Sequence, residues 1–346
     1  MKKSKNYHPW NIDIASFPEG GSLKEQILFL LNFPILAPSG HNSQPWSFSV
    51  EGNMASIHVN EERSLSYSDP KRRQLLIAMG CALENLLVAA DYYGFDSDVR
   101  YFPNASDHNV VVSVVLRRAR PTQGDLKHLI FSIPERRTNR GKYEDRLPPE
   151  DFLKGIEKLS SASLGVALIG DKNRKDKIAE IVSSAQVEVM EDILFREELS
   201  HYIKSNFTKS KTGMPGFALG VPAPISLIAS HLIKKVNLSE KTRKQDEEVL
   251  KKFTPVFVVI SAADDKMGHI QSGRLFEKIW LMAERRGMSM SPLAAAVQAN
   301  NHAKTLQEML GIKHRPLIFS RLGYAEKKPH HSPRFNLEEV LNIGNE

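Results

Sequence analysis

The chain has 346 residues, of which 41% are hydrophobic and 25% charged, so it is long enough to bury one large core or two. Its formal net charge of +7 favours anionic ligands. This excess of positive charge is modest for a nucleic-acid binder of this size, and the sequence contains no zinc-finger, basic-zipper or RNA-recognition motif. The single cysteine, Cys81, excludes an internal disulfide and a cysteine-rich zinc site.

Neither a targeting segment nor a metal site is predicted. The first ten residues are basic but lack the apolar stretch of a signal peptide. The best apolar runs, near 27–31 and 256–263, are far shorter than a membrane span. The adjacent His330 and His331 are only a weak indication of metal. We therefore expect a cytoplasmic protein that binds no metal, no membrane and no nucleic acid.

In the first half, hydrophobic periodicity predicts helices interleaved with strands. Residues 1–21 are predicted to be extended, and the Pro- and Gly-containing segment 37–46 is predicted to be a loop. The predicted regular elements are a helix over 23–33, strands over 46–50 and 55–59, a helix over 80–94, and strands over 99–102 and 110–116.

The second half repeats this alternation around a segment that fits neither half. Residues 195–240 mix Lys, Ser and Gly with an apolar stretch, and we expect a surface insertion that could act as a lid. The elements predicted around it are helices near 125–133, after Pro149 and over 171–192, a charged helix after 240, and strands over 164–169, 255–261 and 316–323.

Two fifteen-residue segments match without a gap. Residues 80–94 and 273–287 both begin and end with Gly and share apolar positions at helical spacing. Glu84 and Glu277 occupy equivalent places in them. The match predicts two related halves fused into one chain, although two unrelated amphipathic helices would give a similar pattern.

Three short motifs lie outside this repeat. The sequence APSGHNSQPW at 37–46 resembles the PSxxNxQPW loop of the FMN-dependent nitroreductase family, and RRTNR at 136–140 resembles that family's RRSxR motif. RLGY at 321–324, followed by SPR at 332–334, resembles its last strand and basic C-terminal residue. In ordinary members the arginines precede the loop. Here they follow it, an order similar to that of the long Acg-type branch.

The resemblance implies an α+β, nitroreductase-like fold built as an intrachain pseudo-dimer, with FMN as cofactor and NAD(P)H as co-substrate. Arginine suits the flavin phosphate and the pyrimidine edge of the ring because its planar fork donates paired, charge-assisted hydrogen bonds. No side chain is predicted to be catalytic, since flavin N5 carries the hydride. The implied cofactor-binding residues are Pro38, Ser39, Gly40 and Asn42 in the loop, Arg136, Arg137, Thr138 and Arg140 in the arginine motif, Ser291, Pro292, Leu293 and Ala294 after the second repeat helix, and Arg334.

The loop and the arginine motif each occur once, in opposite halves, which predicts one flavin per chain. The halves are placed at 1–124 and 125–346, with the insertion or lid at 195–240. The predicted activity is two-electron reduction of a nitro- or quinone-type small-molecule acceptor. A flavin-sequestering protein with a lid and little turnover is the alternative. The chain would act as a monomeric pseudo-dimer or pair into a further homodimer.

Overall fold

Two four-stranded antiparallel sheets with helices around them make up the protein. The computed structural model describes residues 5–104, 106–119, 125–237 and 239–342. The first sheet has the order β1-β2-β4-β3 and the second β5-β8-β10-β9. These strands are β1 Trp46–Glu51, β2 Met54–Val59, β3 Phe95–Tyr101, β4 Val110–Arg118, β5 Leu164–Ile169, β8 Val256–Ala262, β9 Ser289–Pro292 and β10 Arg315–Gly323, and the short parallel pair is β6 Ile203–Lys204 and β7 Met214–Pro215.

The observed helices include most of those predicted from hydrophobic periodicity. Both repeat segments lie in 20-residue helices, α2 and α9, which begin several residues before the matched Gly. The α-helices are α1 Leu23–Leu30, α2 Arg73–Tyr92, α3 Glu150–Glu157, α4 Lys172–Glu191, α5 Ile193–Tyr202, α6 Ala223–Ser226, α7 Ala229–Lys235, α8 Ser239–Lys252, α9 Lys266–Arg285, α10 Ala295–Gln298 and α11 Asn300–Leu310.

Both sheets have the same arrangement along the chain. In each, the first two strands pair, a long helix follows, and the last strand inserts between the second and third. The helix is α2 in the first half and α9 in the second. Each ends before a Gly with positive φ, +75° at Gly94 and +72° at Gly287, as a helix C-terminal Gly commonly does.

Helices α2 and α9 touch through their backbones at the repeat glycines. A Cβ atom on Gly80 would lie 2.1 Å from the Ile270 carbonyl oxygen, and one on Gly273 would lie 2.0 Å from that of Ile77. Each isoleucine precedes the repeat glycine of its own helix by three positions, so the contact is reciprocal. Only glycine permits this approach.

One continuous core joins the halves. It contains buried side chains of α2, α9 and both sheets, among them Trp46 and Trp280. Helix α2 is long and apolar enough to cross a membrane, but 78% of its most apolar stretch is buried inside the protein. The C-terminal tail crosses to the first half, where the Phe48 N–H donates to the Val340 carbonyl at 2.7 Å.

Several regions differ from the predicted elements, and helix α11 and strand β9 are not among those predicted. The prediction of an extended leader is wrong, because Lys5–Trp10 and Ile14–Ser16 form 3-10 turns. Asp13 caps the second turn through its side chain, a local hydrogen bond that apolar periodicity does not report. The short helix expected near 125–133 is also a 3-10 helix, Asp125–Ser132.

We expect Gly80→Ala to destabilise the protein, because its methyl group would force two helix backbones apart. Overpacking of this kind costs about 1–3 kcal/mol, measurable by urea unfolding. Gly155→Ala in α3 is the matched control, since its Cβ would meet nothing within 4 Å and helix propensity favours Ala by about 0.5–1 kcal/mol. Equal stabilities for Gly80→Ala and the wild type would contradict the backbone contact.

Candidate functional site

A polar cleft lies where the two halves meet the insertion. Its empty volume, part of it open to solvent, is about 540 Å³. None of its lining residues in the described chain is acidic. The cleft is lined by Pro38, Ser39, His41, Asn42, Arg136, Arg137, Thr138, Arg140, Met214, Ala218, His330, His331, Ser332, Arg334 and Trp10.

Arg136 and Arg334 form the buried floor of the cleft. Both donate to the Leu36 carbonyl, Arg136 Nη2 at 2.7 Å and Arg334 Nη2 at 3.3 Å. Each guanidinium also lies over an indole ring, Arg136 at 4.6 Å from the Trp280 centroid and Arg334 at 4.8 Å from that of Trp10. Carbonyl oxygens and indole faces stabilise a cation, but they do not neutralise it.

One carboxylate partly offsets the positive charge of these two arginines. Glu277 of α9 lies 3.1 Å from Arg136 Nε, and both side chains are buried. Burial raises the pKa of the Glu277 carboxyl to about 7, against the opposing effect of Arg136. Burial, and secondly the charge of Arg136, lowers the pKa of Arg334. Within the described chain Arg334 Nε is buried without a hydrogen-bond partner. The floor therefore has excess positive charge, which an anionic ligand would offset.

Two further arginines lie at the side of the cleft. Arg137 Nε donates to His331 Nε2 at 2.8 Å, so this imidazole accepts there and is neutral. Burial, chiefly, lowers the pKa of His331 to about 3, and its ring stacks on Trp10 at 4.2 Å. Arg140 is solvent-exposed and donates to the Ala218 carbonyl of the insertion at 3.2 Å. Its remaining donors can meet a ligand.

The loop of the first half is held by segments from elsewhere. Asn42 Nδ2 donates to the Gly213 carbonyl at 2.9 Å and the Pro333 carbonyl at 3.0 Å, and Asn42 Oδ1 accepts from Arg334. Gln44 Nε2 donates to the Lys211 carbonyl at 2.7 Å. His41, Asn42 and Gln44 all have positive φ. Such strain in neighbouring non-glycine residues is typical of functional loops.

Five predicted site residues lie outside the cleft lining. A Cβ on Gly40 would meet Gln74 and Leu65 in a smaller neighbouring cavity. Ser291 and Pro292 pair with β10, and the Leu293 N–H donates to the Phe319 carbonyl at 2.8 Å. Ala294 immediately precedes α10. Their link to the cleft is indirect, through the bridge between Thr138 and Met290, and their role stays a prediction.

The sequence motifs missed several lining residues. Trp10, Met214 and Ala218 come from the leader and the insertion, which lie far from the motifs in sequence. Trp10 Nε1 donates to the Ser332 carbonyl at 2.8 Å, which fixes the C-terminal segment beside the leader. The described residues contain no group of three or more His, Cys, Asp or Glu side chains suited to a metal.

Fold and site together define an α+β protein of two antiparallel sheets, with an arginine-rich cleft suited to an anionic ligand. Several of its relatives are named as nitroreductases. "Putative NAD(P)H nitroreductase Rv3131" of Mycobacterium tuberculosis is 24% identical over 309 residues, covering 87% of this chain and 86% of the relative. "Probable NAD(P)H nitroreductase PigM" of Serratia is 23% identical over 332 residues, covering 90% and 91%. These relatives confirm the predicted resemblance to nitroreductases, and the two sheets with their helices confirm the predicted α+β class. The duplication into two fused halves stays a prediction.

One further relative and one solved structure are also similar to this chain. "Putative NAD(P)H nitroreductase acg" of M. tuberculosis is 23% identical over 325 residues, covering 89% of this chain and 92% of the relative. The crystal structure of the FMN-dependent nitroreductase NfnB from Mycobacterium smegmatis in complex with NADPH has 17% identity and a TM-score of 0.42, covering 64% of this chain and 100% of NfnB. No family model matches the chain.

We expect Glu277→Gln to gain stability relative to the wild type as the pH rises from about 4.5 to about 7. The folded pKa of about 7 exceeds the ordinary 4.5, so the folded wild type binds more protons and loses stability across this window. Gln does not titrate. The difference in unfolding free energy should therefore grow, by up to about 3 kcal/mol, and level off above pH ~7. Urea unfolding at several pH values measures it.

Glu248→Gln on α8 is the control for this pH series. A hydrogen bond from Lys252 lowers the pKa of that exposed carboxyl, so its stability contribution is lost only as the pH falls below about 4.5. Its difference from the wild type should stay flat from about pH 5 to pH 8. A flat difference for Glu277→Gln as well would overturn the interpretation of a buried carboxyl with a raised pKa.

Proposed function

We propose that this protein binds FMN and uses NAD(P)H for the two-electron reduction of nitro- or quinone-type small molecules. The observation that carries the proposal is the meeting of the Ser39–Asn42 loop and the arginine motif, from opposite halves, at one cleft with excess positive charge. FMN has a dianionic phosphate, and the names of the relatives point to the same chemistry.

The residues present fit this cofactor. Arg136, Thr138 and Arg140 would hold the phosphate and the pyrimidine edge of the ring, with Arg137 beside them. Arg334, whose buried Nε lacks a partner within the described ranges, would add a second cation at the phosphate. Guanidinium groups bind phosphate and carbonyl oxygens with charge-assisted hydrogen bonds.

The loop would position the ring rather than react with it. Asn42 is fixed by Arg334, Gly213 and Pro333, so its backbone and that of Ser39 are ordered before a ligand arrives. Bound flavin supplies the hydride chemistry. The protein supplies binding, orientation and charge, and no acid or base side chain is required of it.

A single site per chain is supported by an asymmetry between the repeat helices. Glu277 pairs with Arg136 of the arginine motif, whereas its repeat counterpart Glu84 pairs with Arg274 at 3.0 Å. Arg274 belongs to α9 itself, and its Nη1 donates to the Tyr101 hydroxyl at 2.8 Å. The counterpart position is thus filled by the chain's own side chains.

The division into halves at 1–124 and 125–346 belongs to the same proposal. It is supported by the shared strand order of the two sheets and by the reciprocal contact at Gly80 and Gly273. A chain that arose by fusion of two related halves would be expected to keep both features. Loss of one site would then leave one composite site between the halves.

We expect a flavin titration to give one FMN per chain, and Arg140→Ala to weaken the affinity about ten- to hundred-fold. The loss corresponds to a charge-assisted hydrogen bond worth roughly 1.5–3 kcal/mol. Quenching of FMN fluorescence measures both quantities. Arg140 is a cleaner probe than Arg136, because Arg136→Ala would also remove a buried ion pair.

Arg140→Lys should restore only part of the affinity, since the planar fork is lost. Arg100→Ala, which changes an exposed arginine of β3 paired only with Asp98 in the described chain, should leave the affinity unchanged. A ratio near two FMN per chain would contradict a single composite site. Unchanged affinity in the Arg140→Ala variant would show that the anion binds away from the arginine motif.

A flavin-sequestering protein with little turnover is the second candidate, and the insertion favours it. Met214 and Ala218 line the cleft, and the Ala218 carbonyl occupies one donor of Arg140. Gly213 exchanges hydrogen bonds with Asn42 in both directions. An insertion bound in this way could hold FMN and exclude both donor and acceptor.

Deletion of 217–220 separates these two functions. The Val221 N–H already donates to the Gly216 carbonyl at 2.8 Å, so the chain can be rejoined there without disturbing Gly213. If the insertion is a lid, the deletion should accelerate flavin reduction by NAD(P)H and FMN release, because lid opening limits access. Stopped-flow absorbance measures reduction, and menadione-dependent NAD(P)H oxidation measures turnover.

The deletion variant is compared with the wild type at equal flavin content and equal circular dichroism. Low turnover in the wild type that rises on deletion would support sequestration. Identical reduction and release rates, with high turnover in both proteins, would exclude the lid and leave the reductase.

A further inference from the structure

The insertion presents an apolar face to solvent. Ile225, Ile228, Leu232 and Val236 follow one another at spacings of three, four and four residues, which places them on one side of the α6–α7 segment. Their exposed fractions are 49%, 60%, 38% and 41%. Leu227, which lies between Ile225 and Ile228 in the sequence, is 61% exposed. Large apolar side chains clustered in this way on a soluble surface mark an interaction site.

This face is not needed to hold the insertion in place. An adjacent side of α7 packs through Ala229 and Ile233 against a buried cluster, and that contact anchors the segment. The segment therefore has two apolar sides, of which only one has a partner within the described chain. The buried cluster comprises Met190, Phe195, Leu199, Ile203 and Met214.

The insertion itself carries charge of one sign over most of its length. Between Glu198 and Glu240 the sequence contains five lysines and no acidic residue. Lys211 pairs with Glu339 and Lys234 with Glu197. Lys209 and Lys235 have no ion-pair partner within the described ranges. Lys235, which immediately precedes Val236 on the same segment, thus adds an available cation to the exposed apolar side chains.

We propose that this surface, formed by Ile225, Leu227, Ile228, Leu232 and Val236 with the neighbouring lysines, docks on an anionic lipid bilayer. Apolar side chains that enter the headgroup region, flanked by lysines that attract anionic lipid, are the physical requirements of an interfacial segment. The sequence-based expectation of no membrane partner rested on the lack of a spanning run, which an interfacial surface does not need.

Charge decides against a second copy of this chain as the occupant. A two-fold interface would bring the same surface of both copies together, so the lysines of one copy would face those of the other. Like charges across an interface oppose association. A bilayer containing anionic lipid removes that repulsion and accepts the apolar side chains.

Docking would place the insertion side of the cleft at the bilayer, because the same insertion contributes Met214 and Ala218 to the lining. Acceptors dissolved in lipid would then reach the cleft directly. This last step rests on the proposed function. Docking itself does not, and can be measured without flavin turnover.

Co-sedimentation of the full chain with vesicles tests the proposal. The vesicles contain one part phosphatidylglycerol to three parts phosphatidylcholine, with pure phosphatidylcholine as comparison. We expect binding to the anionic vesicles that falls with added salt. Ile228→Glu combined with Leu232→Glu should lower the bound fraction about ten-fold or more, since two apolar side chains would no longer enter the bilayer.

The matched control places glutamates at two exposed apolar residues outside the insertion, Leu147→Glu with Met267→Glu. It makes the same change in net charge and should keep most of the binding. Equal binding of the two double variants, or equal binding of the wild type to neutral vesicles, would overturn the proposal. So would a wild-type dimer in analytical ultracentrifugation that the Ile228/Leu232 variant converts to monomer while vesicles bind neither.

Discussion

The close approach of α2 and α9 at Gly80 and Gly273 is the constraint on which the rest of the structure depends. Because neither position has a Cβ, each helix backbone meets the carbonyl of the other, at Ile270 and Ile77. This contact sets the separation of the two helices, whose side chains form one core with those of both sheets. A side chain at either glycine would enlarge the separation and disturb every contact made across it.

This helix pair determines where the site lies. Glu277 follows Gly273 by one helical turn, and from there it reaches Arg136 in the arginine motif. Arg136 and Arg334 then share the Leu36 carbonyl, which brings the loop of the first half, the arginine motif and the C-terminal segment to one place. The cleft is a product of how the halves meet and belongs to neither half alone.

The insertion adds an outer layer to this arrangement. Gly213 and Lys211 hold the loop through Asn42 and Gln44, and Ala218 reaches Arg140. Sequence alone indicated that this segment fits neither half and could act as a lid, but not which residues it contacts, because its contacts bridge residues up to 204 positions apart. The same segment carries the exposed apolar stripe of α6–α7, so the side of the cleft and an outward-facing surface are mechanically connected.

The sequence by itself determined most of the helices and strands, the paired helix ends at Gly94 and Gly287, and the resemblance to nitroreductases, because these depend on local periodicity, glycine chemistry and short motifs. Tertiary structure decided which motif residues face the cleft. Gly40 packs instead against Gln74 and Leu65, and the Leu293 N–H is used within the second half. It also placed Trp10 on His331. Such outcomes follow from contacts between segments far apart in the chain, and no local pattern encodes them.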